Sequence, residues 1–328
     1  MKTITILTIT AFLFAFTTTE TKKQQYNNGQ QKYQISTENG MLNGKYISWY
    51  KNGQKKAEGT FKNNQRTQTW TVWDSLGQVR MIRNYENSFQ FNIITAKNEK
   101  AENISIPEKV FYNLTKNVDG FYEYPKLLEK NVLLSKRIWR TIEPNSSNNI
   151  LFDNNRLFEL ILKNIFDTKK LIVYDTSSDE FKKELTVADV KSKIANRTFD
   201  IIGYKIKEDW FFDMSLQLSE TRIIGLCPVI KDKNNGKQTD LFWIYYPELR
   251  GILASKKVAL KGEPLISTVE DIFQFRYFFS NIYKESNIYD RKISDYKSGN
   301  SIKDEAERIE MEIIDMEHDI WIGLTKKK

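Results

Sequence analysis

Three glycines spaced 24 residues apart, Gly29, Gly53 and Gly77, each followed by a glutamine (Gln30, Gln54, Gln78), constrain the first third of the chain more than any other feature. A fixed period of this length marks a repeat array, in which one small unit recurs and buries its apolar face against its neighbours. The flanks keep the register. Tyr26-Asn27-Asn28-Gly29-Gln30 aligns with Trp49-Tyr50-Lys51-Asn52-Gly53-Gln54 and with Trp73-Asp74-Ser75-Leu76-Gly77-Gln78, and a cation follows at Lys32, Lys56 and Arg80. In each copy an aromatic or β-branched stretch, such as Lys45 to Tyr50, runs into a Gly-containing turn and out again. Asn-Gly supplies the positive φ that a tight hairpin turn needs. Each copy therefore reads as a β-hairpin whose aromatic face is completed by its neighbours.

The run Gly44-Lys45-x-x-x-Trp49-Tyr50-x-Asn52-Gly53-Gln54-x-x-x-Glu58-Gly59-x-Phe61 continues in a weaker copy through Trp70, Trp73 and Gly77. It resembles the MORN-type repeat in its bacterial form, found in YwqK-like antitoxins. The resemblance covers residues 26–90 and implies an interaction platform or spacer, with no chemistry of its own. Trp49, Trp70 and Trp73 then fill the core of the array or, in the alternative, line an exposed binding stripe.

Ahead of the array, Met1-Lys2 precedes an uncharged run from Ile4 to Phe16, followed by Thr17, Thr18 and Thr19. Thirteen mostly apolar residues suit the h-region of a secretory signal and are too few for a membrane span, which takes about 20. Residues 1–19 are read as a cleaved signal peptide. No Cys follows that could carry a lipid, so the mature chain is expected in the periplasm, without a transmembrane span.

One Cys and one His among 328 residues exclude disulfide scaffolds and the usual zinc modules. Cys227 lies in an apolar run before Pro228, which reads as a buried, inert thiol, and the sole histidine, His318, is expected to cap or order the end of a helix. No GxSxG, P-loop, HExxH or GxGxxG motif is present, so no catalytic, cofactor-binding or metal-binding residue is assigned and no enzyme is expected. The net charge of +8 favours acidic partners. An exported chain meets little nucleic acid, and none is expected as a partner.

The rest of the chain reads as one α+β domain at 130–323, after a linker at 91–129. The 3.6-residue spacing of Leu157, Leu160, Ile161 and Ile165 predicts a helix over 156–166, and strands are expected at 171–174, 201–212, 222–230 and 241–246. Helices are expected over 248–256 and 269–284, the second with Thr268 as N-cap and Asp271 at N3. Ile302, Ala306, Ile309, Ile313, Met316 and Ile320 follow the a/d pattern of a long amphipathic helix capped by Ser301, docked on its own domain or on a neighbouring subunit. The fold class is thus α+β, a mixed domain with a long C-terminal amphipathic helix joined to a small all-β hairpin-repeat module.

Several motifs in this domain occur together. Arg222-Ile223-Ile224-Gly225-Leu226-Cys227-Pro228-Val229 is followed by Asp240-Leu241-Phe242-Trp243-Ile244-Tyr245-Tyr246-Pro247-Glu248-Leu249-Arg250. Then come Ile282-Tyr283-Lys284-Glu285-Ser286-Asn287-Ile288-Tyr289, Asp290-Arg291-Lys292-Ile293-x-x-Tyr296, Glu307-Arg308-Ile309 and Glu317-His318-Asp319-x-Trp321. Arg137-x-Trp139-Arg140-x-Ile142 and Glu208-Asp209-Trp210-Phe211-Phe212-Asp213 stand upstream. In this order and spacing they resemble the gliding-motility family GldN and its secretion counterpart PorN. The resemblance implies a non-enzymatic, periplasmic component of the type IX secretion system, peripheral to the outer membrane. It also implies assembly with a GldK- or PorK-like lipoprotein and with further copies of itself into a ring. The alternative is a stand-alone periplasmic binding protein whose repeats hold a peptide, glycan or acidic partner. Trp49, Trp73, Trp210, Trp243, His318 and Trp321 are the candidate interaction residues.

Overall fold

A computed structural model describes residues 18–88, 90–96, 115–153, 156–168, 170–195 and 197–326; most of the expected signal peptide and the centre of the expected linker lie outside them. The period of 24 becomes a seven-stranded antiparallel meander: β1 (Thr19–Gln25), β2 (Gln31–Glu38), β3 (Met41–Trp49), β4 (Lys55–Lys62), β5 (Gln65–Trp73), β6 (Val79–Asn87) and β7 (Gln90–Ala96). The turns on one edge hold one another. Tyr26 Oη donates to the Trp49 carbonyl and Tyr50 Oη to the Trp73 carbonyl, both at 2.8 Å, while the Asn28 and Asn52 side-chain amides donate to Lys51 O and Ser75 O. The third copy carries Asp74 where the others have tyrosine. Its carboxylate accepts from the Leu76 and Gln78 amides and from Arg80, which closes the ladder.

The second domain contains β8 (Val132–Ile142), α1 (Asn149–Phe152), α2 (Arg156–Phe166), β9 (Val173–Tyr174), β10 (Glu184–Leu185), α3 (Val187–Ile194), β11 (Phe199–Asp213) and β12 (Leu218–Asp232). It continues through β13 (Gln238–Asp240), β14 (Trp243–Tyr245), α4 (Tyr246–Ala254), α5 (Val269–Gln274), β15 (Asn281–Glu285) and α6 (Asn300–Lys326). The strands order as β10-β9-β14-β12-β11-β8-β15, with β13 paired to β12, so the whole is a mixed α+β molecule. At 15 residues each, β11 and β12 run about 50 Å. One face of β11 feeds two cores in succession. Tyr204 and Ile206 pack with α2, α4 and α5, whereas Trp210 and Phe212 pack with α6 and the repeat sheet.

Three expectations change. The helix expected over 269–284 keeps its capping box, with Thr268 Oγ1 accepting from the Asp271 amide, but ends at Gln274. Arg276 adopts a φ of 52°, which breaks the helix, and 281–285 pairs with β8 instead. The last helix begins at Asn300, and Ser301 Oγ donates back to the Ser298 carbonyl, so Ser301 is inside the helix and is not its N-cap. The range expected as linker contains β7 and a segment packed on the second domain, where Tyr122 is buried beside Phe275 because its ring completes that core.

Candidate functional site

The sheet and the second domain meet along α6. On the inner face of the sheet Tyr46, Phe61, Trp70 and Tyr85 form one aromatic stack, with Tyr46 and Trp70 parallel at 5.6 Å and Phe61 edge-on to Trp70 at 4.9 Å. Gly59 makes this possible: a Cβ there would lie 2.1 Å from the indole of Trp70. The hairpins leave that face open, and α6 covers it. Ala306, Ile309, Met311, Ile313, Ile314, Trp321 and Ile322 are all buried, a band wider than an a/d seam because the helix is held by a sheet on each side.

Charge reinforces the contact. Lys22 and Tyr33 reach Glu307 at 2.8 and 3.0 Å, Lys56 bridges Asp315 and Asp319 at 2.8 Å each, and Arg66 pairs with Glu317. Arg83 stacks between Phe91 and Trp321 and donates to the carbonyl of Gln217, at the tip of the β11–β12 hairpin. The turns on the other edge of the sheet dock as well. The Asn63 amide donates to Glu263, Asn64 to the Arg276 and Phe278 carbonyls, and Ser147 Oγ donates to the Asn39 carbonyl. Where sheet, α6 and the second domain converge there is a cavity of 230 Å³, walled by groups such as Ile35, Phe61, Phe278 and Ile314.

At the back of this junction sits Glu208, fully buried. It accepts from Arg140 at 2.5 Å and Arg276 at 2.8 Å, and Arg140 in turn pairs with Glu310 of α6. Burial opposes ionisation of Glu208, but Arg276 and Arg140 outweigh it and hold its carboxyl below the usual range. Glu270 shows the opposite balance: despite Arg250, burial raises its pKa.

Of the six candidate residues, four are internal. Trp210 and Trp321 belong to the α6 core, and Trp243 packs with Trp139 and Cys227 on the opposite face of the sheet. His318 caps nothing, since α6 continues to Lys326. Its imidazole is fully buried among Tyr46, Trp70 and Trp321, within 5.8 Å of each, and neither ring nitrogen has a hydrogen-bond partner. Burial, then Arg66, Lys56 and Arg83, hold its pKa well below the ordinary imidazole value. None of these four is open to a partner in this structure, because packing of α6 or of the central sheet encloses them. Trp49 and Trp73 are half-buried on the outer face of the repeat sheet, one strand apart from each other across β4, with Lys55 5.9 Å above Trp73.

Residues to which the sequence gave no role carry much of the junction: Arg66, Arg83 and Arg276, with Arg140 and Glu208, which stood only within motifs. The repeat register flagged Lys56 and Arg80 as aligned cations, but it could not show that Lys56 faces α6 while Arg80 closes a turn. At the surface, Asn287 ties a turn into a rigid knot, accepting from the Tyr289 and Arg291 amides and donating to the Glu285 and Arg291 carbonyls. The knot presents Ile288 and Tyr289 to solvent, 90% and 67% exposed. Burial raises the pKa of the Cys227 thiol, which makes it a poor nucleophile. Among the described residues no cluster of His, Cys, Asp or Glu could hold a metal, and no helix is long and apolar enough to cross a membrane.

A family model described as gliding motility associated protein GldN matches residues 127–322, more than half of the chain. The match takes in β8 through nearly all of α6 and leaves the repeat sheet outside. Among curated proteins nothing matches the chain.

Proposed function

From the premise that the chain belongs to the GldN family of gliding-motility components, we propose that it is a non-enzymatic part of a periplasmic type IX secretion and gliding complex. It assembles there with a GldK- or PorK-like lipoprotein and further copies of itself into a ring at the outer membrane. The family match carries this reading. The Asn287 knot supports it: two large apolar side chains held outward on a hydrogen-bonded turn form a preorganised contact for another protein. The repeats are of the MORN type in this reading and act as a docking module. The test is a mild-detergent pull-down of the C-terminally tagged protein from its native envelope, with mass spectrometry and particle sizing. Recovery in a large particle with a lipoprotein is expected, and recovery alone as a small species overturns the reading.

One observation favours a second reading, a binding protein for an extended glycan or peptide. Trp49 and Trp73 stand at equivalent repeat positions on the outer face, about 10 Å apart by the spacing of two strands. Trp49→Ala with Trp73→Ala would then abolish retention on the ligand while leaving any assembled particle intact.

A further inference from the structure

The 230 Å³ cavity between the repeat sheet, α6 and the second domain has two kinds of wall. Aromatic rings form one: Phe61, Tyr85 and Phe91 from the sheet, and Trp210, Phe278 and Phe279 from the second domain. Charged side chains form the other, and those deep in it are already paired: Arg66 with Glu317, Arg140 with Glu208 and Glu310, and Arg276 with Glu208. One polar atom is left over. The Nε of Arg66 is buried with no acceptor among the described residues, although the Nη2 of the same side chain donates to Glu317. Gly40 and Lys303 also line the cavity and are both exposed, so it reaches solvent.

These walls specify an occupant. Water gains little there, because a buried water needs about two to four polar partners and the deep charged groups are engaged with one another. An ion is disfavoured as well, since it would have to break one of the pairs or lie uncompensated beside them. Flat aromatic walls favour a flat partner, offset-stacked or edge-on. An engineered cavity of about 150 Å³ takes benzene, so this one has room for about ten non-hydrogen atoms. We propose that the cavity is a binding site for a neutral, planar ring compound of that size, with one hydrogen-bond acceptor on its edge to meet Arg66. Apolar pockets with a few convergent polar groups occur preferentially where domains meet, as this one does. A ligand here touches the sheet at Phe61, α6 at Ile314 and the second domain at Trp210, and so fastens the three together. The site does not depend on ring assembly, and either can exist without the other.

The test titrates the purified full-length protein, near neutral pH and by ligand-observed NMR, with four probes of similar size. Quinoline is flat and neutral and has one acceptor nitrogen; naphthalene lacks the acceptor, N-methylquinolinium is a cation, and 1-nonanol is a flexible chain. Quinoline is expected to saturate a single site with a Kd below about 1 mM and to bind at least several-fold more tightly than the other three. Ala306→Leu adds bulk to the cavity wall from α6 and should weaken quinoline about tenfold or more. Ile314→Phe fills the same space where the first variant disturbs folding, with thermal unfolding as the check. Arg66→Lys keeps a cation for Glu317 and removes the Nε–H, so quinoline should fall to the affinity of naphthalene. Absence of saturation, which leaves a cavity holding water only, overturns the proposal. So does equal binding by 1-nonanol or N-methylquinolinium, quinoline binding undiminished in both filling variants, or a preference over naphthalene that survives Arg66→Lys.

Discussion

The repeat sheet and the central sheet solve the same problem, satisfying polar groups in and around a β core, over different distances along the chain. In the repeat sheet the partners of Tyr26, Asn28, Tyr50 and Asn52 are 23 residues away, so each hairpin is secured by the next and one small set of rules serves the array. In the second domain Arg140 reaches Glu208 across 68 residues and Glu310 across 170, and no second copy of that arrangement stands by. The first design spreads its stability over equivalent bonds. The second relies on single-copy buried pairs, Glu208 with Arg140 and Arg276 and Glu270 with Arg250, and loss of a partner in such a pair leaves uncompensated charge.

This contrast can be broken most forcefully at Glu208. Glu208→Gln leaves the buried Arg140 with Glu310 as its one carboxylate and the part-buried Arg276 with none, and is expected to cost about 3–5 kcal/mol in urea unfolding; a loss below about 1 kcal/mol would show that this buried pair contributes little to the domain. In the repeat sheet the position with least tolerance is Gly59, where Gly59→Ala drives a methyl into Trp70 and should cost about 1–3 kcal/mol, read by the same titration. The boundary between the regions is probed by pH. His318 is neutral in the native interface while the unfolded chain takes up a proton below about pH 6.5, so the unfolded state binds more protons there and stability falls as pH drops. The expected slope is about 1.4 kcal/mol per pH unit below pH 6.5, and His318→Phe should flatten it; an unchanged slope in that variant would place the titrating group elsewhere. Tyr50→Phe removes one rung of the turn ladder and should cost only about 0.5–1.5 kcal/mol, with the neighbouring rungs intact by amide exchange. At the surface, Ile288→Ser should leave the melting temperature within a degree or so of wild type yet reduce the yield of any large particle, since the residue touches solvent alone.

The array was the most legible part of the molecule. A period of 24 with a glycine at each turn specifies hairpins locally, and the turns fall at Gly29, Gly53 and Gly77, whereas the first strand, Thr19–Gln25, starts ahead of the range expected for the repeats and inside the expected signal peptide. The helix at 156–166 and the long β11 and β12 were legible for the same reason, since their apolar spacing repeats within a few residues. What covers the array was not legible. Lys56 and Arg83 look like surface cations until α6 is laid over them, and the acidic residues of α6 look like a solvated face until the sheet is in place. The helix expected to run through 275–284 shows the same limit. Nothing near Arg276 announces a break, and the strand that follows is set by pairing with β8, more than 130 residues upstream. His318 and Glu208 were unreadable as buried groups because their surroundings are assembled from four or five distant segments.

The two 15-residue strands β11 and β12 belong to both cores, and that has a mechanical meaning. A load applied at the repeat sheet or at α6 reaches the far helices along these strands, through a ladder whose hydrogen bonds lie across the pull and must yield together. The second domain is in that sense a tie-bar with an attachment at each end, a construction that carries load from one core to the other.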